Sequence, residues 1–129
     1  MDGFLATILV VDDEAPIRNA LKRFLQLKKH NVFEAGDGVE ALEVLAAHGV
    51  DLAIVDLMMP RMTGIELIRC IKSKFPETRV VVISAYPDAS DLPASESGIV
   101  AVLRKPFELH QLAGVVELAL CDGQDVAQN

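Results

Sequence analysis

Thr7-Ile8-Leu9-Val10-Val11-Asp12-Asp13-Glu14 is the stretch that decides the fold. Its first five residues are apolar in sequence and mostly β-branched. A strand wet on one face alternates apolar with polar, whereas one covered on both faces reads as a continuous apolar run. The run therefore predicts a buried parallel strand, and it ends abruptly in three acids. Working outward, the same grammar recurs. Asn31 to Ala35 reads as a second strand, and Leu52-Ala53-Ile54-Val55 as a third that runs into Asp56. Arg79-Val80-Val81-Val82-Ile83 is a fourth that ends at Ser84, and Val100 to Leu103 a fifth that ends at Lys105-Pro106.

Amphipathic stretches separate these runs. Ile17, Leu21, Phe24 and Leu25 recur at helical spacing behind Pro16, which a first helical turn tolerates, so a helix is expected over about 15–28. Ala41, Leu42 and Leu45 mark a second over about 38–47, closed by Gly49 as a C′ glycine. Leu67, Ile68 and Ile71 mark a third over about 64–74, ending before Pro76. Leu109, Leu112, Val116 and Ala119 form an apolar stripe on a last helix over about 107–120, with Val115, Leu118 and Leu120 off it. So apolar a helix implies core packing plus a partner or dimer contact. Between Ser84 and Gly98 the rhythm breaks. Pro93 sits in a Ser/Asp-rich run, and an interior proline costs a helix about 3 kcal/mol. A short, distorted or mobile fourth helix is expected there. Strands alternating with helices give an α/β fold with a parallel sheet covered on both faces. We take 1–121 as one domain and 122–129 as a frayed tail.

Composition narrows the function. The chain has 129 residues, and 51% of them are apolar, which excludes a disordered segment. The formal net charge of −7 argues against a nucleic-acid partner and suits a bound divalent cation. Cys70 and Cys121 form no metal or redox spacing, so a reducing, cytoplasmic setting is expected. No apolar run reaches membrane-span length, and Met1-Asp2-Gly3-Phe4 shows no signal-peptide pattern. His30, His48 and His110 are scattered and read as surface histidines.

Parallel strands deliver their carboxyl ends to one edge, where ligands bind in such sheets. Asp12, Asp13, Asp56, Ser84 and Lys105 all fall at those ends. Each alone has a bland reading: an aspartate caps a helix, a serine closes a turn, Lys-Pro makes a loop. Their joint occurrence at four strand ends does not. Three carboxylates in one crevice repel each other, and a hard divalent cation such as Mg²⁺ relieves that repulsion. A lysine adds a counter-charge that also binds phosphate.

At these residues the sequence resembles bacterial response-regulator receiver domains, over about residues 5–121. The matching text is Ile8 to Glu14, Asp56-Leu57-Met58-Met59-Pro60-Arg61-Met62-Thr63-Gly64, Ile83-Ser84-Ala85 and Lys105-Pro106-Phe107. The resemblance implies a flavodoxin-like, doubly wound sheet of order 2-1-3-4-5 with five helices. It implies a two-component phosphorelay, in which Asp56 accepts a phosphoryl group from a sensor histidine kinase or histidine phosphotransfer protein. Asp13, Asp56 and the backbone carbonyl of Met58 would ligate Mg²⁺, and Asp12 would act through a metal-bound water. Ser84 would take a phosphoryl oxygen, Lys105 would pair with Asp56 and then with the phosphoryl group, and the Lys105-Pro106 bond would be cis. Such a domain is no enzyme beyond phosphorylating and dephosphorylating itself. Its output would pass through a surface of the fourth helix, the last strand and the last helix to a partner or output domain.

Three positions depart from or tune that pattern. Val102 stands where receivers commonly place Tyr or Phe, so the aromatic readout is missing. Met58 and Tyr86 follow Asp56 and Ser84 by two residues and should overhang the site, which predicts slow loss of the phosphoryl group. Three rival readings compete with this one. An aspartyl-phosphate hydrolase needs a second aspartate where Met58 stands. A flavin binder needs a phosphate loop where Asp12-Asp13-Glu14 would repel one. The remaining alternative is a receiver-fold interaction module that works without phosphorylation.

Overall fold

The computed structural model describes residues 6–59, 62–85 and 99–128, with side chains up to Cys121. In chain order the elements are β1 (Thr7–Val11), α1 (Ala15–Leu27), β2 (Asn31–Ala35), α2 (Gly38–Ala47), β3 (Leu52–Asp56), α3 (Gly64–Lys74), β4 (Arg79–Ser84), β5 (Ile99–Arg104) and α4 (Leu109–Gln128). All neighbouring strands pair in parallel, in the order β2-β1-β3-β4-β5. That is the expected doubly wound sheet. Among the described residues there are four helices. The fourth helix expected around Pro93, and with it Tyr86, lies outside them.

The two-residue period of the strands divides the interior into two cores. Leu9, Val11, Ala53, Val55, Val80 and Val82 face one way and meet Ala41 and Leu45 of α2 and Leu67, Ile68 and Ile71 of α3. Ile8, Val10, Leu52, Ile54, Val81 and Ile83 face the other way and meet Leu21 and Leu25 of α1 and Leu112, Val116 and Ala119 of α4. Every residue of β3 is buried, as its unbroken apolar run requires.

The helices begin and end for local reasons. The Asp37 carboxylate accepts from the Glu40 N–H at the start of α2. Thr63 and Glu66 form a reciprocal capping box at the start of α3. At the end of α1 the Lys29 N–H bonds the Gln26 carbonyl and the His30 N–H bonds the Leu25 carbonyl, the two bonds of a Schellman motif. Lys29 adopts φ 73° to make them. A side chain there is strained where glycine is not. Lys29→Gly is therefore expected to raise stability by about 0.5–1 kcal/mol, read as a higher urea midpoint at unchanged slope.

Three boundary expectations need correction. Gly49 makes no left-handed cap: α2 closes at His48 with extended backbone, and Gly49 has no positive φ. The last helix starts at Leu109 instead of 107, and it runs past Cys121 to Gln128 where a frayed tail was expected. Its apolar stripe is also narrower than predicted. Leu112, Val116 and Ala119 are buried, but Leu109 is 45% exposed; of the three residues expected off the stripe, Leu118 is exposed while Val115 and Leu120 pack partly against the core.

Candidate functional site

The strand ladder extends past the strand ends and fixes the residues beyond them. The Asp12 N–H bonds the Ala35 carbonyl at 3.1 Å, the Leu57 N–H bonds Ile83 at 3.1 Å, and the Lys105 N–H bonds Ser84 at 2.7 Å. Asp12, Asp56, Ser84 and Lys105 thus sit side by side along one sheet edge. Asp12, Asp56 and Ser84 are buried, and Asp13 is exposed beside them.

Lys105 is the hub. Its Nζ donates to Asp12 Oδ2 at 3.1 Å, to Asp56 Oδ2 at 3.2 Å and to Glu14 Oε1 at 3.2 Å. An ammonium has three N–H donors, so all are engaged by carboxylates. The other oxygens are also held: Asp56 Oδ1 accepts from the Met58 N–H at 3.1 Å, and Asp12 Oδ1 accepts from the Glu14 N–H at 2.9 Å. Arg18 grips the Asp12 carbonyl at 2.7 Å while its Nε binds Glu34, which braces α1 against this corner.

The electrostatics follow from crowding. Burial pushes the Asp56 carboxyl above its ordinary value, the Asp12 charge adds to that, and the Met58 N–H and Lys105 only partly offset it. Burial acts against the Lys105 ammonium, but Asp12 and Asp56 outweigh it and hold the lysine more firmly protonated than usual. One carboxylate oxygen from each of Asp12, Asp13 and Asp56 lies within 4.8 Å of the others. This is an all-oxygen donor set of three carboxylates.

The remaining predicted residues fall as follows. The Lys105-Pro106 bond is cis. Met58 is 54% exposed two residues after Asp56, and Val102 is 43% exposed on β5. The histidines stay out of the site: His48 stacks on Phe33, His110 pairs with Glu108, and His30 accepts the Ala6 N–H. Cys70 and Cys121 are free thiols. Asp12, expected to act on the metal through a bound water, also pairs with Lys105. Two residues were missed. In the sequence Glu14 is only part of the acidic run Asp12-Asp13-Glu14, with no role of its own. Gly64 leaves no room for a Cβ against the Asp56 and Leu57 backbone, which no sequence periodicity announces.

The chain matches the response regulator receiver domain family over residues 8–117. It is 39% identical over 106 residues to the response regulator MprA of Mycobacterium ulcerans (strain Agy99), which covers 81% of this chain and 46% of that protein. It is 38% identical over 117 residues to the sensor kinase CckA of Brucella abortus (strain 2308), covering 87% of this chain and 12% of that one. The chain therefore spans less than half the length of either relative. Among solved structures, the response regulator protein TrrA from Thermotoga maritima, in complex with Mg²⁺-BeF, superposes with a TM-score of 0.80 at 34% identity, over 89% of this chain and 99% of TrrA. A response regulator receiver domain protein from Clostridium thermocellum superposes at 0.84 with 27% identity, over 94% and 98% of the two chains. The fold is thus that of two-component signalling receivers. The chain belongs to the response regulator receiver domain family, and its general role is phosphorelay signal transduction. No helix among the described residues is long and apolar enough to cross a membrane.

Proposed function

We propose that Asp56 is the phosphoacceptor of this receiver. The observation that carries the reading is the Lys105–Asp56 contact of 3.2 Å inside a cluster of three carboxylates. Mg²⁺ fits that donor set, since hard oxygens on adjacent strand ends suit a cation that also keeps several waters. Asp13, Asp56 and the Met58 carbonyl would hold it, with Asp12 reached through water. When bound, the ion neutralises charge that develops on the transferring phosphoryl oxygens.

The chain's own residues do the rest. A carboxylate oxygen of Asp56 forms the new P–O bond while the P–N bond of a phosphohistidine breaks, and the electron pair leaves with the imidazole. Lys105 exchanges a carboxylate partner for a phosphoryl oxygen and stabilises the charge that develops there. Ser84, at the end of β4, offers a hydroxyl to another phosphoryl oxygen. Water later attacks phosphorus and restores the carboxylate, so the protein turns over nothing but its own acyl phosphate.

The donor is a sensor histidine kinase or histidine phosphotransfer protein. A cleft of about 640 Å³ beside Lys105, with Pro16, Ile17, Ala20, Phe107 and Leu109 in its wall, offers such a partner an apolar footing. From Ala15 to Phe33 the chain carries no acid, in a protein of net charge −7, so this side also attracts an acidic partner surface. Output runs through a surface that includes β5 and α4, to a partner, an output domain or a second copy, in the cytoplasm and without contact to nucleic acid. A second reading, an interaction module that is never phosphorylated, draws on one observation: Val102 is exposed and carries no ring to report the state of Ser84.

Incubation with acetyl phosphate and Mg²⁺, followed by intact mass, separates the two. We expect one added phosphoryl group, absent in Asp56→Asn and without added Mg²⁺. An unmodified wild-type chain would favour the second reading.

A further inference from the structure

Glu14 is the residue at the site that the phosphoryl-transfer reading leaves without a task. It is the N-cap of α1, yet its side chain makes no capping bond, whereas Asp37 and Thr63 cap α2 and α3. The carboxylate instead reaches across to Lys105 Nζ at 3.2 Å. It comes from the solvent side: the Glu14 side chain is 58% exposed, against 0% for Asp12 and 5% for Asp56, which share the same ammonium. The first helical turn gives up a cap in order to place a charge at the mouth of the crevice.

We propose that Glu14 is a specificity-determining residue of the charging reaction, competing with incoming phosphoryl oxygens for Lys105 and setting a negative charge in the path of anionic phosphodonors. The proposal rests on Asp56 being the phosphoacceptor. All three Lys105 donors are engaged, so a phosphoryl oxygen gains one only by displacing a carboxylate. Asp12 is fully buried and cannot leave the ammonium for water, and Asp56 is the nucleophile. Glu14 is the one of the three that can swing into solvent. Displacing it removes an exposed, charge-assisted hydrogen bond, and the approaching anion also meets its charge. The consequence falls on capture of the donor more than on transfer itself. It is largest for small free anions, which bring nothing to compensate that charge.

The test compares wild type, Glu14→Gln and Glu14→Asp with acetyl phosphate and Mg²⁺, scored by intact mass across donor concentration and ionic strength. Glutamine is expected to lower the half-saturating acetyl phosphate concentration on the order of threefold, with a smaller change in the maximal rate. It should also flatten the salt dependence. Aspartate keeps the charge but is one methylene short of Lys105, so it should fall between the two. Binding of beryllofluoride with Mg²⁺, followed by NMR, should tighten in the same order with no transfer step involved. Unchanged half-saturation, or faster charging without tighter beryllofluoride binding, would overturn the role of Glu14 while leaving Asp56 as acceptor. Failure of all three proteins to gain a phosphoryl group would overturn the reading of Asp56, and the role of Glu14 with it.

Discussion

Asp56→Asn is expected to make the metal-free protein more stable at neutral pH while abolishing phosphoryl uptake. Uptake is lost because an amide oxygen is no nucleophile toward phosphorus at this pH. The stability gain follows from the sign of the Asp56 shift. Its folded-state pKa lies above the ordinary 3.8 because of burial first and the Asp12 charge among the other causes. Between those two values the folded chain holds a proton that the unfolded chain has lost, so stability falls as pH rises through the window and stays lowered above it. Asparagine does not titrate. The advantage of the variant should therefore be absent below about pH 3.8, grow through the window and hold to neutrality. An opposing effect exists. Asp56 now accepts from both the Met58 N–H and Lys105, and a single amide oxygen can serve only one of them. Lys105 keeps Asp12 and Glu14, however, so its charge is not orphaned. The raised pKa already records that burial and repulsion outweigh those bonds. A net gain is expected in urea denaturation with a chelator present. Added Mg²⁺ should shrink it, because the cation binds the wild-type folded state more tightly. Equal stability of the two chains from pH 3 to 7 without metal would show that the cluster stores no strain.

The same cluster shows what could be read beforehand. Unbroken apolar runs ending in Asp12, Asp56, Ser84 and Lys105 gave the strands, their direction and hence the shared edge, because parallel topology does the long-range work that spacing cannot. The cis bond before Pro106 and the Lys105–Asp56 pair followed from the receiver resemblance. Elsewhere local grammar misled. Gly49 has the right residue type for a left-handed cap, but α2 closes with extended backbone, and the left-handed position falls on Lys29, which nothing in the sequence marks. Leu109 keeps the helical phase of the core stripe yet is the first residue of α4 and 45% exposed, so phase alone overstates its burial. Glu14 was hidden by a different ambiguity. In the sequence it is one more acid after β1, and only the folded chain brings its long side chain to a lysine 91 positions later.

Gly64→Ala is expected to be the most destabilising small substitution near the site. A Cβ at Gly64 would lie 2.6 Å from the Asp56 carbonyl oxygen, 2.6 Å from the Leu57 Cα and 3.1 Å from the Asp56 carbonyl carbon. All three are backbone atoms at the end of the fully buried β3, so no flexible side chain can yield. Gly38 makes the useful contrast. Its added Cβ would meet Met62 at 2.6–2.8 Å, but that neighbour is an unbranched side chain able to move. Helix propensity favours alanine over glycine by about 1 kcal/mol at an interior position, and the clash must overcome any such gain. Overpacking against rigid backbone costs about 1–3 kcal/mol and occasionally more. We therefore expect a net loss of about 2 kcal/mol in urea denaturation. Gly49→Ala, with nothing within 4 Å, should change stability by less than about 0.5 kcal/mol. The functional effect should exceed the loss of stability. Relief of the clash has to push the Leu57 backbone away from α3, and that shift carries the Asp56 carboxylate and the Met58 N–H that holds it. A displacement near 1 Å at a reacting group can cost on the order of a hundredfold in rate. Charging by acetyl phosphate should fall steeply in Gly64→Ala under conditions where circular dichroism shows it folded. Charging at the wild-type rate would mean that the end of β3 yields without moving Asp56.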